Sequence, residues 1–120
     1  MKAVPARKTN PDFMTGVPEL LILILLVERE MYGYELVQAI EAATGQEISV
    51  GEGVVYPILH ALEEHGCLRS RRKPVQGRTR VYYTVTATGR KRLEAAAAEW
   101  SRITGAVSRV LKGGPSGAPT

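Results

Sequence analysis

The apolar positions of this chain fall into blocks, and each block has the period of one kind of element. Leu20 to Val27 is an unbroken run of eight apolar residues. Pro18 suits a first helical turn, where its missing N–H costs nothing, and Glu19 suits the positive end of the helix dipole. Together they predict a helix from Pro18 to about Arg29. Being apolar all round, it is expected at the centre of a small bundle. A buried strand is disfavoured by the Leu content and the Pro–Glu start. Met31-Tyr32-Gly33 interrupts the pattern. Leu36, Val37, Ile40 and Ala43 then predict a second helix from about Gly33 to Thr44, with Gly45 just past its end. Glu47 to Val50 reads as a short extended segment. Val55, Ile58, Leu59 and Leu62 stand at i, i+3, i+4 and i+7 and predict a third helix, ending near His65 at Gly66. Pro57 fits such a helix best in a first turn, which places the start at or after Glu52.

Beyond Cys67 the period changes to two. Leu68 to Lys73 and Arg78 to Thr86 predict strands, joined by a turn at Pro74-Val75-Gln76-Gly77. Alternation puts Val81, Tyr83 and Val85 on one face, and Arg80, Tyr82 and Thr84 on the other. Tyr83 is expected in the core. Thr86 is placed to cap a last helix from Ala87 to Leu111. The expected fold is mainly α with a small β-hairpin. It divides into a winged helix-turn-helix over residues 15–86 and a long C-terminal dimerisation helix over 87–112. Residues 1–14, with Pro5, Pro11 and the bases Lys2, Arg7 and Lys8, are expected to form a flexible arm. Residues 113–120 contain only Gly, Pro, Ser, Ala and Thr and are expected to be a disordered tail.

Composition narrows the class. A chain of 120 residues with 44% hydrophobic content suits one globular domain. Lys+Arg number 16 against 12 Asp+Glu, a net charge of +4. The distribution says more than the total. No acidic residue falls between Glu64 and Glu94, whereas nine bases do: Arg69, Arg71, Arg72, Lys73, Arg78, Arg80, Arg90, Lys91 and Arg92. Such a block fits a polyanion partner, the bland reading being a solvated hairpin surface. Cys67 is the single cysteine. It allows no internal disulfide, implies a reducing compartment, and is expected to enter the core. The apolar run is far short of the ~20 residues that span a bilayer and lacks signal-peptide design. A cytoplasmic protein is expected. His60 and His65 have no companions at metal-ligand spacing, and His65 suits the C-terminal end of the third helix dipole. With no phosphate-binding Gly loop and no nucleophile elbow, neither an enzyme nor a cofactor is expected.

Three helices followed by a basic hairpin point to a winged helix-turn-helix whose third helix enters a DNA major groove. With its apolar stripe turned inward, that helix presents Val54, Tyr56, Pro57 and His60. The Tyr56 hydroxyl and His60 ring suit phosphates or base edges; Val54 and Pro57 suit apolar contacts such as a thymine methyl. Tyr56 as an aromatic capping the bundle surface is the alternative. Arg71, Arg72, Lys73, Arg78 and Arg80 supply phosphate contacts from the wing. On the last helix, Leu93, Ala96, Trp100, Ile103, Val107 and Val110 recur at alternating spacings of three and four, an a/d seam. A seam at the end of so small a domain has little of its own core left to cover it, so it reads as a dimer interface.

Several of these runs carry a family resemblance. Tyr32-Gly33-Tyr34-Glu35-Leu36 resembles the opening of the second helix in PadR-type transcriptional regulators. The stretch from Gly53 through Tyr56-Pro57, Leu59, Leu62-Glu63 and Gly66 resembles their recognition-helix signature. Gly77, Arg78, Arg80, Tyr82, Tyr83, Thr86 and Gly89 match their wing motif. The resemblance covers about Gly16 to Leu111, and the single long last helix is similar to that of the short subfamily. Val54 departs from it, standing where the family usually carries Thr or Ser, so a hydroxyl contact is lost there. The resemblance implies a homodimeric repressor on a pseudo-palindromic operator, its recognition helices about one helical turn apart (~34 Å). It also implies a small hydrophobic or phenolic effector between the C-terminal helices, lined by Trp100. Trp100 as dimer core alone, a constitutive regulator without effector, and a winged-helix module that binds protein stay open as alternatives.

Overall fold

The computed structural model describes residues 16–113. The arm over 1–14 and all but Gly113 of the tail over 113–120 therefore lie outside the described residues.

The first helix, α1, spans Val17–Glu28. Its Ile22 and Leu23 are fully buried and Leu26 nearly so. It is central, as its apolar run predicts, but not buried all round: Ile24 is 40% exposed. A two-residue strand, β1, Met31–Tyr32, follows where the sequence shows only an interruption. Met31 enters the core and Tyr32 leads into α2, Gly33–Ala43. The Tyr32 backbone N–H donates to Glu35 Oε1 at 3.3 Å, so a side chain from the first turn takes up a donor the helix cannot use. Leu36 and Ile40 are fully buried, whereas Ala43 is exposed; Ala39, one turn earlier on the same side as Leu36, packs against the core instead.

The third helix, α3, spans Glu52–Glu64 and buries Val55, Leu59 and Leu62. Truncating Leu59 to Ala should cost about 2–5 kcal/mol, the range for an aliphatic side chain in a close-packed core. Pro57 sits in the second turn, not the first. It thereby removes from the helix ladder the bond that residue 57 would donate to the Gly53 carbonyl, on a stretch exposed to water. The helix ends on Gly66 in the left-handed region, φ 78°. There Cys67 N–H donates to the Leu62 carbonyl at 2.8 Å and Gly66 N–H to that of Glu63 at 3.0 Å. The closure turns Cys67 into the core, where it is 2% exposed.

Strands β2, Leu68–Val75, and β3, Arg78–Val85, form the hairpin. The turn is shorter than its residue types suggest: only Gln76 and Gly77 lie between the strands, at φ 50° and 78°. Two consecutive left-handed residues match the right-handed twist of the flanking strands, which lets pairing continue through Val75 and Arg78. Pro74 is tolerated because β2 is an edge strand. On the other side β3 pairs with β1, Met31 opposite Tyr83 and Tyr32 opposite Tyr82. The hairpin is thus two strands of a three-stranded antiparallel sheet, ordered β1-β3-β2. As alternation predicts, Tyr83 is buried with Val81 and Val85 packed beside it.

Helix α4, Ala87–Leu111, begins at Thr86, whose Oγ1 accepts from Gly89 N–H at 3.1 Å and donates to the Gly66 carbonyl at 2.6 Å. A Cβ on Gly89 would overlap the Cys67 carbonyl, so the helix start is pressed onto the end of α3. Farther on, Arg92 Nε donates to Glu19 Oε2 at 2.7 Å, tying α4 to α1.

Candidate nucleic-acid interface

Antiparallel pairing sorts the wing residues by face. Residues opposite one another share a face, so Arg69, Arg71, Lys73 and Val75 lie with Thr84, Tyr82, Arg80 and Arg78. Arg72 pairs with Val81 and lies on the other face. The five wing bases named from the sequence therefore do not act from one surface. Four share it, and Arg72 is apart.

The shared face is a stack of cations and rings. Tyr32 and Tyr82 meet edge to face, their centroids 5.3 Å apart. The Arg80 guanidinium lies 4.3 Å from the Tyr32 ring centre and the Lys73 ammonium 4.3 Å from that of Tyr82. Each cation faces the negative side of an aromatic quadrupole. Glu30, from the loop before β1, receives Arg71 Nη2 at 3.0 Å and Lys73 Nζ at 2.5 Å. The Lys73 hydrogen bond lowers the Glu30 pKa most; burial opposes it, and the nearby Arg71 lowers it further. Arg71 and Lys73 are thus already partnered within the chain. No sequence pattern marks Glu30, because its partners lie more than forty positions away.

Tyr56 both packs on the bundle and borders open space. It is half-buried and packs over Gly33 at the start of α2, where any Cβ would overlap its ring. Glycine at that position lets the two helices of the helix-turn-helix approach through Tyr56. The same residue also lines an open groove of about 510 Å³ with Tyr32, Tyr34, Glu52, Arg78, Thr79 and Arg80. This groove lies between the first turns of α2 and α3 and the end of the wing. Its chemistry suits an anion. Three phenols, those of Tyr32, Tyr34 and Tyr56, belong to side chains at or near helix starts, and two guanidiniums come from β3. Arg80 Nε is buried with no acceptor among the described residues, and Arg78 makes no ion pair among them. Both guanidiniums therefore retain donors. Tyr34 is 48% exposed and touched by Gln38 Nε2 at 3.4 Å. In the sequence, Tyr32, Tyr34 and Glu52 carry only the weak signal of a place in a motif or at a helix start.

Val54 and Pro57 are exposed on α3, as is His60, whose ring centroid is 6.2 Å from that of Tyr56. On α4 the expected seam divides. Leu93 packs against the core of its own chain and Ala96 is half-buried. Trp100, Ile103, Val107 and Val110 are exposed by 48%, 43%, 52% and 69%. Among the described residues no helix is long and apolar enough to cross a membrane.

Comparison with known proteins agrees with this architecture. Residues 22–95 match the model of the transcriptional regulator PadR-like family. The chain is 34% identical over 105 residues to a transcriptional regulator of Mycobacterium tuberculosis, covering 88% of this chain and 92% of that one. It superposes on a transcriptional regulator from Clostridium thermocellum with a TM-score of 0.76 at 28% identity, over 82% of this chain and 96% of the other. With a PadR family transcriptional regulator from Eggerthella lenta the TM-score is 0.73 at 30% identity, over 84% and 87%.

Proposed function

The chain belongs to the PadR-like family of transcriptional regulators, and we propose that it is a homodimeric repressor released by a small hydrophobic or phenolic effector. Family membership carries the coarser statement, that it is a DNA-binding regulator of transcription and not an enzyme. The groove flanked by Arg78, Arg80, Tyr34 and Tyr56 is the observation that supports the docking mode. It gathers donors for phosphate beside the exposed N-terminal turns of the helix that, in helix-turn-helix proteins, enters the major groove. Val54, Tyr56, Pro57 and His60 face bases and nearby phosphates from α3. Arg78 and Arg80 hold phosphate directly. Arg71 and Lys73 reach it only by leaving Glu30, and Arg72 serves from the opposite side of the wing.

Residues 15–86 act as the reading unit and 87–112 as the dimerisation helix, with Leu93 and Ala96 at the inner end of the seam and Trp100, Ile103, Val107 and Val110 along it. Trp100 is the single Trp, so effector binding at the interface should change its fluorescence. The effector must prefer one dimer geometry over the other in order to release DNA. The direct test is footprinting on the DNA upstream of the protein's own gene. Two protected half-sites about one helical turn apart are expected. No retention of that DNA even at low salt would overturn the reading.

A further inference from the structure

We propose that Glu52 is a specificity-determining residue, accepting a hydrogen bond from the N4 amine of one cytosine in each half-site. The proposal rests on the DNA-binding reading above and extends it to a residue that reading does not use. Glu52 is the first residue of α3 and is exposed. The first turns of a recognition helix are the part that meets base edges. Glu52, Tyr56 and His60 stand at i, i+4 and i+8, one line along the helix, and Glu52 and Tyr56 line the same groove.

The charge of Glu52 is what makes it informative. The carboxylates of Glu19, Glu30, Glu35 and Glu99 each hold an Arg or Lys, whereas Glu28, Glu41, Glu64 and Glu94 make no ion pair among the described residues and do not line this groove. Glu52 makes no ion pair among the described residues, although Arg78 and Arg80 border the same groove. A carboxylate only accepts hydrogen bonds, and so do phosphate oxygens, so on a phosphate-binding face it finds no partner along the backbone of the duplex. The donors in the major groove are the exocyclic amines of cytosine and adenine. Adenine N6 stands beside the N7 acceptor, which a second carboxylate oxygen would oppose. Cytosine N4 carries no such neighbour on its own base. A purely structural role is the competing account, since an acidic residue in a first turn stabilises the helix dipole. That role predicts no base preference.

Replacement by glutamine separates the two accounts. Glu52→Gln keeps the shape and supplies a donor beside an acceptor, the pattern that pairs with adenine N6 and N7. Wild type, Glu52→Gln and Glu52→Ala would each select from a randomised palindromic operator library, followed by sequencing. In the wild type, one symmetric position per half-site should show cytosine, favoured over other bases by roughly fivefold or more. Glu52→Gln should shift that position alone toward adenine, and Glu52→Ala should make it indifferent. Unchanged base preferences in both variants would overturn the assignment while leaving DNA binding intact. A wild type that enriches no sequence would overturn the DNA-binding reading as well.

Discussion

Two surfaces of this molecule reach outward, and they differ in what water can do for them. The wing face and its groove are built of cations and phenols. Their charges are met inside the chain, Arg71 and Lys73 by Glu30, Arg80 by the Tyr32 ring, or by solvent. Such a face is mostly satisfied without a ligand, the buried Arg80 Nε being left without an acceptor among the described residues, and intramolecular partners moderate its attraction for phosphate. The outer half of α4 is the opposite case. Trp100, Ile103, Val107 and Val110 recur along one stripe and stand exposed among the described residues, and water does not satisfy apolar surface. The contrast separates a polar surface that water can solvate from an apolar one that gains by being covered. In the proposed dimer the α4 stripe supplies the permanent association, while the wing supplies the reversible one.

That contrast breaks most visibly if the stripe is charged. Trp100→Glu or Ile103→Glu should give a folded monomer by sedimentation or light scattering. Operator affinity should then fall by roughly 10²–10⁴-fold, the avidity lost when two linked half-sites become one. A variant that stays dimeric would place the interface elsewhere. Leu93→Ala sharpens the boundary within the same helix. Leu93 packs against its own core, so its truncation should lower unfolding stability by about 2 kcal/mol, near the low end for apolar core truncations. Denaturant titration would show this, and the dimer should persist among folded molecules.

Smaller effects test the wing. Arg78→Ala should weaken all DNA sequences alike, reducing the slope of log affinity against log salt by about 0.9 for each phosphate lost. Arg72→Ala, from the other face, should have less effect. Glu30→Gln releases two cations from their carboxylate. It should tighten binding to unrelated DNA a few-fold and steepen the salt dependence. A weaker complex would instead mean that Glu30 serves chiefly to hold the wing in place. Acidification should act in the same direction as this substitution. Because the Glu30 pKa is lowered in the folded chain, its pairing with Lys73 and Arg71 is present above the ordinary carboxylate range and lost as pH falls below it. Glu30 is only half-buried and its partner Arg71 is exposed, so the effect on stability should be slight.

Much of this architecture is legible from residue spacing, because local periods decide it. The apolar run of α1, the stripe of α3, the Gly66 stop, the Thr86 cap and the burial of Tyr83 all follow from residue types a few positions apart. What depends on distant partners was not legible. A strand of two residues has no period, so β1 appears only once Met31 and Tyr32 are seen against Tyr83 and Tyr82. Glu30 looks like any loop acid until Arg71 and Lys73 reach it. Gly33 reads as part of a motif, and its reason is the Tyr56 ring lying across it. The face of Arg72 depends on strand register, fixed by the two left-handed residues Gln76 and Gly77. The site was legible as a composition, a basic wing beside a helix start, while its division into partnered and unpartnered cations required the fold.

Fluorescence anisotropy of operator DNA across a salt series tests the central claim most directly. One phosphate for Arg78 and one for Arg80 in each protomer of a dimer predict a log–log slope of about −3.6 or steeper. A flat dependence, or a slope shallower than about −1, would contradict a DNA interface built on this groove.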